Sequence, residues 1–535
     1  MNPLRILRAA TLALIAGAAL TACTLGPNFE APASTVPPVF ARTQTLQAPS
    51  QPVAAAFNAD WWTLFDDPVL NALEQRLADA NLDVAAASAR LRQSRAERRV
   101  AGAAELPTLA AAGSYDRERG SENGILSLLG VTPSAAPTQS ASGGTPFGVA
   151  AAPGSSGSPA YNLYQAGFDA SWELDLWGRV RRGVEAADAL TQASYEARNA
   201  VLLSARAELA RDYLELRDAQ AQLRIARQNL AIARDLEKLV RIRRKDGVTT
   251  DLDVANAAAQ VASIESRLPM LESRRATRAN AIGVLLAQPP GALDPILDAP
   301  HAVPGLPASV PIGFPSELAQ RRPDIRQAEA QLHAATAAIG VAQADFYPRI
   351  TLNGSAGFQS LQLSSLASWA SGQFVIGPSI SLPIFEGGRL TGMLNLRRAQ
   401  QQEAAIVYQR TVLEAWREVD DALVVYHAEQ QRHDRLVAIV TLNQRALAIA
   451  QQQYRSGAAD YLDVLNAQRQ LFDAQGQQET SEAEAAMHLV TLCKALGGGW
   501  ETRFGPAAST GRADTTMLPA HGTIAQTGSR TGEVD

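Results

Sequence analysis

Few side chains in this sequence stand at spacings that could do covalent chemistry. The six histidines form no H-E-x-x-H pair, and His427 and His433 are spaced as solvated helix residues rather than as ligands of one metal. Neither a glycine-rich phosphate loop nor a G-x-S-x-G nucleophile turn occurs. The sequence therefore does not read as an enzyme, and no metal or soluble cofactor is expected. What remains is carboxylates in two patterns. Asp169, Glu173 and Asp175 sit at odd positions of Tyr164–Leu176 (YQAGFDASWELDL). Asp253 follows Thr250 by three residues, and Asp463 follows Asp460 by three, which is capping-box spacing. A carboxylate there can fasten a helix N-terminus, where the helix dipole favours negative charge.

The first pattern belongs to a strand. Tyr164, Ala166, Phe168, Ala170, Trp172, Leu174 and Leu176 fall on one face, and Gln165, Gly167, Asp169, Ser171, Glu173 and Asp175 on the other. A half-buried strand of a soluble sandwich would alternate in the same way. The pattern returns, however, beside helices too long for a compact domain, and an apolar-out, polar-in strand of about ten residues is what a wet transmembrane β-barrel requires. In that setting the three carboxylates face the lumen, and Trp172 and Trp177 lie near a membrane interface or pack where the strands meet the helices. Further strands are expected at about 107–115, 348–359 and 374–384, the last with a bend or bulge at Pro378.

The helices are long. Pro68–Ala104 reads as one amphipathic helix stopped by Pro107. A rod from about Gly183 to Lys245 would span roughly 95 Å. Leu202, Leu209, Leu216, Leu223 and Leu230 recur along it every seven residues, with Ala205, Ala219, Ala226 and Ala233 three positions later and Asp212 as the exception. This is a coiled-coil seam with small residues on one core position. Gly247 breaks the rod, and Leu252–Leu286 returns. Residues 288–315 carry eight prolines and read as a hinge or linker.

The plan then repeats. An offset of 241 carries Asp83, Leu91 and Pro107 onto Asp324, Leu332 and Pro348. An offset of 210 carries Gly167, Gly178, Gly247, Leu252, Asp253, Asn256 and Leu286 onto Gly377, Gly388, Gly457, Leu462, Asp463, Asn466 and Leu496. The 31-residue difference is an insertion in the Gly/Ser-rich stretch 116–161, read as a loop. Four strands cannot close a barrel, since the smallest have eight, so strands must be pooled between subunits.

At the N-terminus, Arg5, Arg8 and the apolar run Thr11–Leu20 form a targeting segment over 1–22. Leu20-Thr21-Ala22-Cys23 resembles the lipobox of bacterial lipoproteins, so Cys23 is the expected lipidation site. Residue 24 is Thr rather than Asp, which by the same resemblance directs the chain to the outer membrane. Residues 23–57 read as an extended linker, 58–287 and 316–500 as the two repeats, and 501–535 as a disordered tail. No apolar run of the mature chain approaches twenty residues, so any spanning part is a closed barrel. A net charge of −5 gives no case for nucleic acid.

This arrangement resembles the outer membrane efflux protein family, of which the tolerance-to-colicin channel is typical. Cys23 with Leu25-Gly26-Pro27-Asn28-Phe29-Glu30-Ala31-Pro32, then Asp60–Pro68, Arg321-Arg322-Pro323-Asp324-Ile325 and Phe346-Tyr347-Pro348, resembles its lipoprotein branch, which includes nodulation-protein-T-like channels. The resemblance implies a mainly α-helical chain with a transmembrane β part. Its homotrimer pools twelve strands into one barrel above a periplasmic α-helical tube. It also implies passive export, with a periplasmic adaptor and an inner-membrane resistance-nodulation-division pump as partners and outer-membrane lipids around the barrel. The tips, Arg243–Asn256 and Tyr454–Asn466, would close the entrance. By position Asp253 and Tyr454 match residues that hold the tips together, and Leu462 matches a constriction-lining leucine. Asn466 stands where relatives often carry an aspartate. The other readings are a duct for protein secretion and a periplasmic coiled-coil scaffold lipoprotein without a pore.

Overall fold

A computed structural model describes residues 24–32, 49–53, 55, 57–119, 160–299, 301–313 and 317–501. Cys23 and its targeting segment, most of the 116–161 stretch and the tail after Glu501 lie outside the described residues.

Helix α1 (Pro68–Ala80) begins where Asp67 accepts hydrogen bonds from the Val69 and Leu70 amides, with proline at its first position. It does not continue to residue 104 as the periodicity suggests. Asn81 takes an extended conformation, and its side chain caps a new helix, α2 (Leu82–Ala103), by accepting from the Asp83 and Val84 amides. The Asn81 amide group also donates to the Leu285 carbonyl at 2.9 Å, which fixes the break against the end of a distant helix.

The long rods are α3 (Arg179–Lys245, 67 residues) and α6 (Arg389–Ser456, 68 residues), each about 100 Å long. Their return helices are α4 (Asp251–Leu285) and α7 (Tyr461–Ala495), and α5 (Pro323–Ala344) is the second-repeat counterpart of α2. On one flank of α3 lie α2 and α4, meeting end to end at Asn81 and Leu285. On its other flank lie α5 and α7, which meet where Arg322 donates to the Ala495 carbonyl; α6 packs beyond them. Every leucine and alanine of the α3 seam is buried. Asp212, its exception, is satisfied by Arg278 at 2.9 Å.

The proline-rich segment is not a free hinge. Leu293, Leu297, Val303, Val310 and Ile312 enter one apolar core with Trp61, Trp62, Phe65, Tyr213 and Tyr426. Its strand β4 (Ser309–Pro311) pairs in parallel with β1 (Gln51–Val53). Residues 24–28 are likewise held. Gly26 and Gly340 touch, and Arg182 donates to the Leu25 carbonyl and, at 2.7 Å, to the Asn28 side chain. Proline density marked irregular backbone here, but the buried aliphatic residues between the prolines pack the segment into the helix core.

The sheet is antiparallel in the order β2-β3-β5-β6, formed by Thr108–Glu118, Tyr161–Leu174, Arg349–Ser360 and Gly372–Ser381. Leu109, Phe168, Trp172, Phe358, Phe374, Ile376 and Ile380 are exposed on one face. The other face carries a hydroxyl–amide ladder, with Ser171 donating to Asn353 at 3.0 Å and Asn353 to Ser379 at 3.1 Å. Gly167 and Gly357 oppose each other so closely that a Cβ on Gly167 would lie 2.8 Å from the Ala356 carbonyl oxygen. In the described chain β2 and β6 are unpaired edges. No helix among the described residues is long and apolar enough to cross a membrane.

The seat of residues 24–28 depends on the missing side chain of Gly340, where a Cβ would fall 2.7 Å from the Leu25 carbonyl oxygen. Gly340→Ala is expected to dislodge this strap at a cost of about 1–3 kcal/mol. Proteinase K should then cut within residues 24–32 in the variant and spare them in the wild type.

Candidate functional site: the helix tips and the barrel–tube junction

At the first tip, α3 ends with Arg243, Arg244 and Lys245, cations placed where helix carbonyls are left open. Gly247 turns the chain with φ of 77°. Thr250 and Asp253 then form a full capping box. The Asp253 amide donates to the Thr250 hydroxyl at 3.2 Å, and the Asp253 carboxylate accepts from the Thr250 amide at 3.1 Å. The same oxygen accepts from the Thr249 and Thr250 hydroxyls at 2.6 and 2.8 Å. Burial disfavours the Asp253 charge, but these hydrogen bonds outweigh it and hold its carboxyl below the usual range. Arg244 clasps Asp251 through two bonds at 2.7 and 2.9 Å.

The second tip is built differently. Gly457, with φ of 78°, ends α6 by donating to the Gln453 and Tyr454 carbonyls. Asp460 heads α7 but its side chain makes no capping bond. The spacing suggested a second capping box, but Asp460 makes no capping bond, and two adjacent carboxylates repel where the Thr250 hydroxyl donates to Asp253. Asp463 is exposed, as are Leu462 and Asn466. Tyr454 and Tyr461 are buried edge to face at 5.7 Å. Burial, reinforced by Tyr454 and Glu237, pushes the Tyr461 phenol up to about 12.

Val240, Val254 and Ala257 of the first hairpin share one apolar cluster with Tyr454, Tyr461 and Val464 of the second, and Arg243 adds a polar bond between the tips that the sequence did not single out. Arg243 lies 4.4 Å over the Tyr454 ring and donates to the Tyr454 carbonyl at 2.5 Å. Asp253 spends its carboxylate on its own turn, and the Tyr454 hydroxyl is buried without a partner among the described residues. The basic triplet closing α3 was the available signal for Arg243, but sequence does not say which of three cations crosses to the neighbouring hairpin.

At the other end of the rods, two of the three strand carboxylates are engaged. Glu173 binds Arg179 through bonds of 2.8 and 2.6 Å. Asp175 lies past the strand end and accepts from the Arg181 amide at 2.8 Å, fastening the start of α3. Trp172 and Trp177 donate to the Glu105 and Pro348 carbonyls, and Trp177 packs on Tyr347 with ring centroids 5.0 Å apart. Glu173, Asp175 and both tryptophans thus knit sheet to helices. Of the three, Asp169 is the one that stands exposed on the polar face, opposite Ser355. The described residues hold no cluster able to bind a metal ion.

An amphipathic sheet with two free edges, continued by helices about 100 Å long that end in tied tips, is a wall segment of a membrane channel with a helical extension. Comparison with known proteins places it further. The outer membrane efflux protein model matches residues 73–288 and 314–498, so the chain belongs to that family. The antibiotic efflux pump outer membrane protein ArpC of Pseudomonas putida is 30% identical over 498 residues, covering 91% of this chain and 95% of ArpC. The outer membrane protein OprJ of Pseudomonas aeruginosa is 31% identical, again covering 91% and 95%. Among solved structures, the outer-membrane channel OprN matches with a TM-score of 0.79 at 33% identity, covering 90% of this chain and all of that one. The protein is an outer-membrane component of efflux, with its barrel strands in the outer membrane and its helices in the periplasm.

Because the folded Asp253 carboxyl is held below its unfolded value of about 3.9, its bonds contribute stability above that value and lose it as pH falls through the lower folded one. Hydrogen exchange of a peptide covering 247–254, corrected for intrinsic rates, should stay slow down to about pH 4 and quicken below it. Asp253→Asn should show fast exchange there already at neutral pH.

Proposed function

We propose that three copies pool their sheets into one closed barrel and conduct small organic molecules, without a catalytic step, from a periplasmic adaptor and an inner-membrane resistance-nodulation-division pump to the outside. The observation that carries this reading is the sheet. Its apolar face is exposed in the chain, its opposite face is a polar ladder, and both its edges are unpaired among the described residues. In hydrocarbon every backbone group must be paired, and only barrel closure meets that demand for strands. A periplasmic scaffold would have no use for such a face. The Pseudomonas putida relative named for antibiotic efflux supports small molecules over secreted proteins as cargo. A lipid on Cys23 would hold the strap beginning at Thr24 to the membrane, beside the start of α3.

The tips act as the entrance. Exposed Leu462, Asp463 and Asn466 form its rim, with Asp169 lining the barrel lumen, and the Arg243–Tyr454 contact sets the resting closure. Single-channel conductance in planar bilayers tests both parts. Wild-type conductance should be low, and Arg243→Ala should raise it several-fold. Tyr454→Phe should change it little, since phenylalanine keeps the ring face and the backbone carbonyl that Arg243 uses. A rise with Tyr454→Phe equal to that with Arg243→Ala would refute this gate. Absence of conductance from all trimeric preparations would refute the channel.

A further inference from the structure

The helix layer has two faces, and α6 shows which is which. Trp416, Val419, Leu423 and Tyr426 join the core that holds the proline-rich segment. Tyr408, eleven residues before Val419 and so on the same face, belongs to the cluster on which Phe29 of the N-terminal strap packs. A strap tied to a membrane lipid runs outside the tube, so this face is outward. Arg417, Asp421 and Val425 lie on the opposite side of α6. A cavity of about 690 Å³ opens there between α3, α6 and α7, where α7 ends and α5 begins. That volume lies within the roughly 300–1,000 Å³ of small-molecule sites. Glu484 and Lys494 of α7, at its two ends, are ten residues and so about 15 Å apart. Leu203, Ala422, Val425 and Met487 make its middle apolar.

The charges around the cavity differ in what they have left to bind. Arg322 holds both Asp324 and Glu418 at 2.7 Å, Arg417 holds Asp421 at 2.7 Å, and Arg432 holds Glu484 at 2.7 Å. Each lining carboxylate is thus bonded to a guanidinium. Arg211, at the far end, stands 4.0 Å from Glu215. Lys494 is exposed and has no ion-pair or hydrogen-bond partner among the described residues. His488 faces the cavity as a neutral ring, since burial pushes its pKa down against the pull of Glu429 and Glu484. A cation in the last turn of α7 also suits the helix dipole, but that does not account for the apolar cavity beside it.

We infer that this cavity is a resting site inside the duct for organic anions of drug size, with the apolar body against Leu203, Val425 and Met487 and the carboxylate or sulfonate on Lys494. The inference rests on the duct reading above and names a cargo class for it. The cavity is half open to water, so the charge adds only several-fold in affinity and the molecule leaves again, as conduction requires.

Dansylglycine, dansylamide and dansylcadaverine carry one fluorophore with a negative, neutral or positive charge. Each is titrated against trimers in lipid nanodiscs by fluorescence anisotropy, with empty nanodiscs as the blank. Dansylglycine should bind saturably, once per copy, several-fold more tightly than dansylamide, and dansylcadaverine should bind weakest. Lys494→Gln should weaken dansylglycine several-fold and leave dansylamide unchanged. Val425→Trp, filling the cavity from a position 44% exposed, should weaken all three. Ser204→Trp, from the α3 side, serves if that variant fails to assemble. Equal affinities, or tightest binding of dansylcadaverine, would overturn the anion preference. Affinities unmoved by either tryptophan would put the probes elsewhere and overturn the site. An equal loss of dansylglycine and dansylamide in Lys494→Gln would reduce Lys494 to its helix-end role. The conductance test separates the two readings. This binding pattern without conductance would remove the duct and the cargo role, whereas conductance without the pattern would remove this site alone.

Discussion

An unpaired strand edge in hydrocarbon leaves a row of amides and carbonyls with no water to bond, at several kcal/mol for each group. This chain carries two such edges, and most of its architecture is intelligible as a consequence. Four strands cannot curl far enough to meet each other, so the edges must be met by other copies, and the sheet must therefore present the same handed pair of edges every time. Tandem duplication supplies that regularity inside the chain: β3 meets β5 as each copy must meet its neighbour. The close Gly167–Gly357 pair shows the local demand of closure, since a side chain at either position would collide with the facing backbone.

The rods inherit their alignment from the same junction. Glu173 on Arg179 and Asp175 on the Arg181 amide couple the last residues of β3 to the first turn of α3. Gly178, in the left-handed region with φ of 81°, makes the turn between them. Two carboxylates that alternate like pore-lining groups are thereby used up as structural ties. Near the strand ends, Glu173 and Asp175 on the polar face serve the helix start, while Asp169, well within the strand, is left exposed.

Much of this was legible in the sequence because it is periodic. Strand alternation, the seven-residue leucine seam and the two offsets are regular signals, and each reports a face or a register. What was not legible depended on single long-range contacts. Asn81 ends a helix that its neighbours would continue, because its amide finds the Leu285 carbonyl some two hundred residues away. The proline-rich stretch looked like a hinge because proline density reports irregular backbone, whereas burial of Leu297 and Val310 is decided by partners elsewhere. Arg243 could not be told from Arg244 by composition. Geometry alone sends one to Tyr454 and the other to Asp251.

The tips show how far a duplicated plan can diverge while keeping its shape. Both hairpins turn on a glycine and restart a helix three to four residues later, yet one is locked by a reciprocal threonine–aspartate cap and the other lacks it. The uncapped hairpin is the one whose Leu462, Asp463 and Asn466 are exposed, and it is held by packing of Tyr454 on Tyr461 and by a cation reaching across from the capped one. A cation–carbonyl bond at a helix C-terminus is strong enough to set a resting position and depends on no side chain that the second hairpin must keep. An entrance built this way has a rigid half and a yielding half. Under the gate proposed above, opening breaks the Arg243 contact and leaves both turns folded, so the same backbone serves the closed and the open tube.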